Sequence, residues 1–237
     1  MTDRPETPVR VLRVFADEDG SYGNALGVIE GALVRPEDRQ RVAHSLGFSE
    51  TIFVDDHATG ELRIFTPAAE LPLAGHPLVG AAWFLSEERR HIDPTLTPSS
   101  AHLELRPPGG LVQAWSDPQG RQWIDAPLST LPDWTIVELD SPEAIDALAG
   151  PLRADHDHVV YWSPIATGVM RVRCFAARFG IAEDEATGSA ALRLTTLLAQ
   201  PVEIRQGKGS LLFARPIDTD RAAVGGLVVE DEPLPLP

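Results

Sequence analysis

Cysteine is nearly missing: Cys174 is the single one in 237 residues. A lone thiol excludes an intramolecular disulfide, a cysteine-rich metal site and any mechanism that needs two thiols. Positive charge is scarce too. Lys+Arg total 20 against 35 Asp+Glu, a formal net charge of −15. Such a chain repels phosphate backbones and anionic membrane surfaces, so no nucleic acid and no membrane is expected as partner. No apolar run approaches the roughly 18 residues of a membrane-spanning helix. The opening M-T-D-R-P-E-T-P lacks the apolar core of a secretory signal, and the expected location is cytoplasmic. There is no G-x-G-x-x-G, so a dinucleotide cofactor has no support.

What remains is ordinary globular material, 43% hydrophobic and 23% charged, long enough for one large domain or two lobes with real cores. The 21 prolines and 19 glycines predict many short elements joined by tight turns. Val9–Phe15 alternates as a strand. Pro36–Leu46 reads as a helix with proline at its start and Gly47 past its end. Thr51–Val54 and Glu61–Phe65 flank a hairpin turn. Leu71–Leu85 is a small-residue turn feeding an apolar helix. Pro107-Pro108-Gly109-Gly110 is the best boundary, giving an N-terminal lobe of residues 1–110 and a C-terminal lobe of 111–237. Strands follow near Val112–Trp115, Gln122–Ile124, Val159–Trp162 and Val169–Phe175. Ser141 caps a helix expected to close at Gly150. A second small-residue turn, E-D-E-A-T-G-S-A-A, feeds another apolar helix. Strands near Val202–Arg205, Leu211–Phe213 and Ala223–Val229 finish the chain, and the acidic, proline-rich tail reads as frayed.

The two turn-to-helix segments resemble each other. Ala74-Gly75-His76 opens one and Thr187-Gly188-Ser189 the other. If they are duplicates, each lobe is an α/β unit around one buried helix, and the two helix N-termini face each other across a cleft. A helix start carries unpaired N–H groups and about half a positive charge, and glycine lets a ligand approach the backbone. Two such ends form a receptor for a small carboxylate without a cationic side chain. The plainer reading is two tightly packed helix starts. His76 sits at the first start, where an imidazole stays neutral. One of Glu183, Asp184 and Glu185 reads as the natural cap of the second. Glu50, in S-E-T, is a surface charge or, if it points into the cleft, a carboxyl whose pKa burial raises into a useful range.

Other constellations carry less. His156-Asp157-His158 lacks a third metal ligand, so no metal is expected. Ser189, His76 and Asp184 have the residue types of a hydrolase triad, but T-G-S-A is not the G-x-S-x-G elbow. Gly207-Lys208-Gly209-Ser210 lacks the upstream glycine of a phosphate loop. Cys174 lies in a predicted strand and reads as core.

Four blocks carry a wider likeness: G-N-A-L-G-V-I, L-G-F-S-E-T-I-F-V, R-I-F-T-P-A-A-E-L-P-L-A-G-H-P-L-V-G-A-A and R-C-F-A-A-R-F-G-I-A-E-D-E-A-T-G-S-A-A. In this order they resemble the phenazine-biosynthesis isomerase (PhzF-like) family. The resemblance implies the diaminopimelate-epimerase-like α/β fold: two pseudo-equivalent lobes, each a curled, mostly antiparallel sheet around a central helix. Related epimerases place a cysteine at each helix start; here Ala74 and Thr187 stand there. The family pattern assigns catalysis to the residues matching Glu50, His76 and Asp184. It assigns carboxylate binding to those matching Gly75, Gly188 and Ser189, with Asn24 and Ser49 close by. It implies a cofactor-free isomerase or epimerase moving a proton on a small carboxylate, and a homodimer. In the phenazine enzyme the substrate is a dihydro-hydroxyanthranilate. The alternative is a carboxylate-binding protein that has lost turnover. The chain departs from the pattern at Ala25, Ala177 and Glu185, each in place of a usual proline, and in a shorter Q-G-K-G-S segment. These departures bear on pocket shape more than on proton chemistry.

Overall fold

A computed structural model describes residues 9–95 and 102–237; the N-terminal octapeptide read above for a signal lies outside them. Among the described residues the chain forms a mixed α/β fold dominated by one large curled sheet. In the first half, β1 (Val9–Ala16), β2 (Asn24–Glu30), β3 (Glu50–Asp56), β4 (Glu61–Phe65) and β5 (Glu70–Leu71) lie side by side, with α1 (Arg39–Leu46) and α2 (Gly75–Ile92) between and after them. The second half holds β6 (Leu103–Leu105), β7 (Val112–Ser116), β8 (Gln122–Pro127), β9 (Thr135–Glu138), α3 (Pro142–Asp146), β10 (Val159–Ala166), β11 (Val169–Ala176) and β12 (Ile181–Asp184). It ends with α4 (Gly188–Leu198), β13 (Val202–Gln206), β14 (Ser210–Pro216) and β15 (Arg221–Leu234). Pairing is antiparallel except for β2–β3, β9–β10 and β11–β13.

β15 joins the halves. Its start pairs with β14 and β8, and from Leu227 to Leu234 it pairs with β1. The opposite strand adapts at Phe15, which takes a positive φ of 67° at a break in register between Val14 and Ala16. This irregularity lets Val14 and Phe15, adjacent in sequence, both be fully buried, which strict alternation forbids. The Phe15 ring lies on Gly226, where an added Cβ would come within 2.7 Å of it.

Helices α2 and α4 are the cores around which the strands pack. The first three turns of α2 are buried on every side, which accounts for its run of small residues. A Cβ on Gly80 would fall 3.1 Å from Val14. α2 packs against strands of both halves, β1 and β8 included, and α4 packs on β14 and β15. Pro107–Gly110 makes the turn between β6 and β7, and the Gly109 N–H donates back to the Pro72 carbonyl at 2.7 Å.

Three expectations need correction. The tail is not frayed. β15 runs to Leu234 because arginines from the far end of the chain meet its acids: Arg10 with Glu230 at 2.6 Å and Arg13 with Asp231 at 2.7 Å. The helix capped by Ser141 stops at Asp146, not near Gly150. Ser141 Oγ does accept from the Ala144 N–H, but the chain then turns so that Ile145 and Leu148 pack on Tyr161 and Phe175. No acid of the E-D-E run caps α4, whose N-cap is Thr187; β12 pairs with β11 instead, so Asp184 is a strand residue.

Deleting Glu230–Pro237 should therefore cost about 2–3 kcal/mol, a fall in Tm of roughly 5–10 °C. A thermal melt of the truncated chain checks this; an unchanged Tm would return the tail to the status of an ornament.

Candidate active site

The starts of α2 and α4 touch. A Cβ added to Gly75 would lie 3.2 Å from the Gly188 Cα, and one added to Gly188 would lie 3.2 Å from the Gly75 Cα. Glycine at both positions is what allows the contact. Neither N-cap, Ala74 or Thr187, satisfies the helix start with its side chain. The first N–H groups of an α-helix have no intrahelical partner. Those of Gly75, His76, Gly188 and Ser189 therefore converge on one spot, with two positive dipole ends behind them. Two such ends facing each other can receive a small anion from both sides.

That spot is the floor of a cavity of about 300 Å³ lined by Glu50, Gly75, His76, Asp184, Gly188 and Ser189 together with apolar and aromatic side chains. The volume suits a small ligand. The remaining expected residues, Asn24 and Ser49, stand behind the wall. Ser49 Oγ donates to Asn24 Oδ1 at 3.0 Å, and Asn24 Nδ2 donates to Asp184 Oδ1 at 2.7 Å. The far oxygen of Asp184 accepts from the Thr187 hydroxyl at 2.7 Å.

Glu50 opens β3 and His76 lies one residue inside α2. Glu50 Oε2 and His76 Nε2 are 3.5 Å apart, and neither has a hydrogen-bond partner in the protein. Buried polar atoms are normally satisfied, so this pair is unusual, and it borders the cavity. Burial pushes the Glu50 carboxyl up to about 7, against a smaller opposing effect from Ser49. Burial, then the Glu50 charge, raises Asp184 to about 6, although Thr187, His76 and Asn24 favour its anion. Burial also drives His76 down to about 4, opposed by Asp184 and by a hydrogen bond to the Ala25 backbone. That bond favours the charged ring, so the acceptor is the Ala25 carbonyl and the donor is Nδ1–H. In neutral His76, Nε2 then faces Glu50 as a lone pair.

Cys174 is fully buried in β11, directly opposite Asp184 on β12. Burial raises its thiol well above the usual range, so it stays protonated and serves as core. No cluster of three or more metal-ligating side chains occurs among the described residues. His156 Nδ1 bonds the Tyr161 hydroxyl and His158 Nδ1 the Asp133 carbonyl, so the H-D-H segment is spoken for structurally. No helix of the described residues is long and apolar enough to cross a membrane.

Two groups escaped the sequence reading. Gln206 holds the turn before α4: its Nε2 donates to the Asp184 carbonyl and to Thr187 Oγ1, and its Oε1 accepts from the Thr187 N–H. Trp134 Nε1 donates to Ser189 Oγ at 3.1 Å. Its indole stacks on His158 with ring centres 3.4 Å apart, and both rings line the cavity. The stretch between residues 112 and 165 thus supplies an aromatic wall.

A curled sheet around two helices whose starts meet beside Glu50 and His76 is the architecture that the known relatives share. The chain belongs to the phenazine biosynthesis-like family, whose PhzC-PhzF model matches residues 12–157. It is 34% identical over 222 residues to the trans-2,3-dihydro-3-hydroxyanthranilate isomerase of Pseudomonas fluorescens, covering 76% of this chain and 80% of that one. A phenazine biosynthesis PhzC/PhzF protein from Clostridium difficile superimposes with a TM-score of 0.75 at 19% identity, over 94% of this chain and 96% of the other. A hydroxyproline epimerase from Agrobacterium vitis shares the fold, with a TM-score of 0.60 at 11% identity over 94% and 91% of the two chains. The protein is an isomerase, and its fold is that of the PhzF and proline-epimerase-like enzymes.

Proposed function

We propose that this isomerase moves a proton on a small carboxylate without a cofactor, using Glu50 as the acid–base group. The observation that carries the reading is the unpartnered Glu50–His76 pair beside the meeting helix starts. The substrate carboxylate accepts from the converging N–H groups. Ionised Glu50 takes a proton from a carbon, and the electron pair of that C–H bond moves into the adjacent unsaturated system. Protonated Glu50 then returns the proton to another carbon, so the reaction is an isomerisation with no net redox change. Negative charge that develops meanwhile faces the two helix dipoles, which are preorganised for it. His76, neutral throughout, accepts a hydrogen bond from substrate through Nε2, and ionised Asp184 orients the polar end of the ligand.

The test is hydrogen exchange in D₂O. The protein is incubated with trans-2,3-dihydro-3-hydroxyanthranilate, the substrate in the name of the Pseudomonas relative, and with a panel of amino and cyclic carboxylates. Carbon-bound hydrogens are followed by NMR. Deuterium entry or isomerisation is the expected result; binding without exchange would mean a receptor that has lost turnover.

The pH profile is a second check. Glu50 must be ionised to accept a proton from carbon, and burial has lifted it from 4.5 to about 7. The acid limb of kcat/KM should therefore fall with a midpoint near neutrality. Glu50 and Asp184 interact, so the midpoint belongs to the pair. Full activity maintained down to pH 5 would remove Glu50 from the role of base.

A further inference from the structure

The hairpin turn between β13 and β14 is gripped from the side by Glu185. Both its carboxylate oxygens accept from the Lys208 N–H, at 2.9 and 3.0 Å. Oε1 also accepts from the Ser210 hydroxyl at 2.9 Å. The carboxylate lies so close over Gly207 that an added Cβ there would fall 2.3 Å from Oε2. On the other side the Tyr22 ring covers Gly209, where an added Cβ would fall 2.5 Å from it. The turn is thus sandwiched between a residue adjoining Asp184 and a residue close to Asn24.

The bonds continue beyond the turn. Ser210, fully buried, accepts from the Gly23 N–H at 3.0 Å. Gly23 precedes Asn24, whose Nδ2 donates to Asp184 Oδ1 at 2.7 Å. Asp184 precedes Glu185. Three hydrogen bonds and two covalent links therefore close a ring: Asp184, Glu185, Ser210, Gly23, Asn24 and back to Asp184. The ring joins segments roughly 160 residues apart across the back of the cavity.

We propose that Glu185 is a positioning residue that acts through Ser210 and the Gly23 backbone to hold the Asn24 amide on the Asp184 carboxylate. The inference rests on the role given to Asp184 above. Asp184 has two side-chain donors, Asn24 and Thr187. Thr187 is fixed independently by Gln206. Asn24 is also bonded by Ser49 and donates to the Ala186 carbonyl, and its backbone pairs with Val14 of β1; the Gly23–Ser210 bond fixes the residue just before it. Loosening that link removes one of two bonds that favour the anion and shifts Asp184 toward its protonated form. Besides these, the titratable groups acting on Asp184 are Glu50 and His76, and Cys174 stands opposite it.

The competing interpretation is that Glu185 merely staples the hairpin. Substitutions separate the two. Glu185→Ala breaks both the staple and the ring. Ser210→Ala leaves the Lys208 staple and breaks only the ring. Glu185→Gln keeps an amide oxygen able to accept from Ser210, and so preserves the geometry. The readout is ligand-free: the Asp184 side-chain carboxyl carbon is followed by NMR through a pH titration of the full-length, ¹³C-aspartate-labelled chain, with Asp184→Asn assigning the signal. Both alanine variants should raise the Asp184 midpoint by about half a unit or more, and Glu185→Gln should restore it. Where the exchange assay registers turnover, kcat should fall about tenfold in both alanine variants with KM little changed. A midpoint unmoved in Ser210→Ala overturns the proposal, even if the melting temperature drops, because a lowered melting temperature alone is what a staple predicts. If Glu185→Ala does not fold, Ser210→Ala decides. Failure of the wild-type chain to turn over any carboxylate would count against the functional reading and leave this titration fully informative.

Discussion

Glu50→Gln should lose at least about a thousandfold in turnover while the protein becomes more resistant to unfolding above neutral pH. The amide matches the carboxyl in shape but cannot take a proton from carbon. Carboxylate binding should stay within a few-fold of wild type, because the donors we propose are backbone N–H groups of two helix starts. The gain in stability follows from the same burial that makes the residue useful. Glu50 titrates at about 7 in the folded protein against 4.5 in the open chain. Between those values the native state holds a proton that the unfolded chain releases. Stability contributed by this group is fully present below pH 4.5 and is lost as pH rises through 7. Gln removes that loss, so the variant should gain about 1–3 kcal/mol at pH 8 and nearly nothing at pH 4.5. Asp184 adds to the gain, since the Glu50 charge is the second cause of its raised pKa. His76 works in the opposite sense. Its pKa is held down at about 4, so its contribution is present above about 6.5 and is lost as pH falls toward 4. Denaturant melts of both proteins at pH 5 and pH 8, run beside the exchange assay, would read all of this. Wild-type turnover in the variant would remove Glu50 from the chemistry, and equal stability at pH 8 would mean that its charge is not a buried cost.

The parts of the site that could be seen in the sequence are those with a local signature. Gly75 and Gly188, each followed by small residues and then bulky ones, announce helix starts that something approaches closely. Glu50 and His76 were visible as residue types, and the family blocks placed them. What local pattern does not carry is the wiring. Gln206 reaches Thr187 from nineteen positions away, and Asn24 meets Asp184 across 160. No periodicity reports such pairs, because they exist only once the strands are aligned. The misread elements failed for the same reason. I-A-E-D looks like the capping turn of a helix, and becomes β12 only because β11 offers an edge to pair with. The acidic tail looks solvated until Arg10 and Arg13 of the first strand lie beside it. Trp134 was one of five scattered indoles, and only the assembled fold shows that this one faces Ser189.

Gly75→Ala tests the meeting of the helices, and its effect should be larger than the methyl suggests. The new Cβ would lie 3.2 Å from the Gly188 Cα and 3.6 Å from the Ser189 nitrogen, both backbone atoms. Backbone cannot swing aside as a side-chain tip can, so the two helix starts must separate by a few tenths of an ångström. Overpacking of this kind costs about 1–3 kcal/mol. Relief from the higher helix propensity of alanine offsets at most about 1 kcal/mol of that. Under the proposed function the cost to activity is steeper, because one carboxylate would have to reach donors on both helices at once. Spreading them lengthens every one of those bonds and moves the substrate carbon away from Glu50. Misplacement on the order of an ångström lowers a rate by about a hundredfold, so a loss of ten- to a hundredfold in kcat/KM is expected, with carboxylate affinity falling as well. Gly188→Ala should behave alike, since its Cβ would meet the Gly75 Cα at the same 3.2 Å. The double variant is the sharper experiment. Both methyls would occupy one gap, so their stability losses should exceed the sum of the singles by about 0.5 kcal/mol or more. Wild-type binding and exchange in Gly75→Ala would show that the two starts do not share a ligand, and the carboxylate would then have to be held by α4 and the Trp134 wall alone.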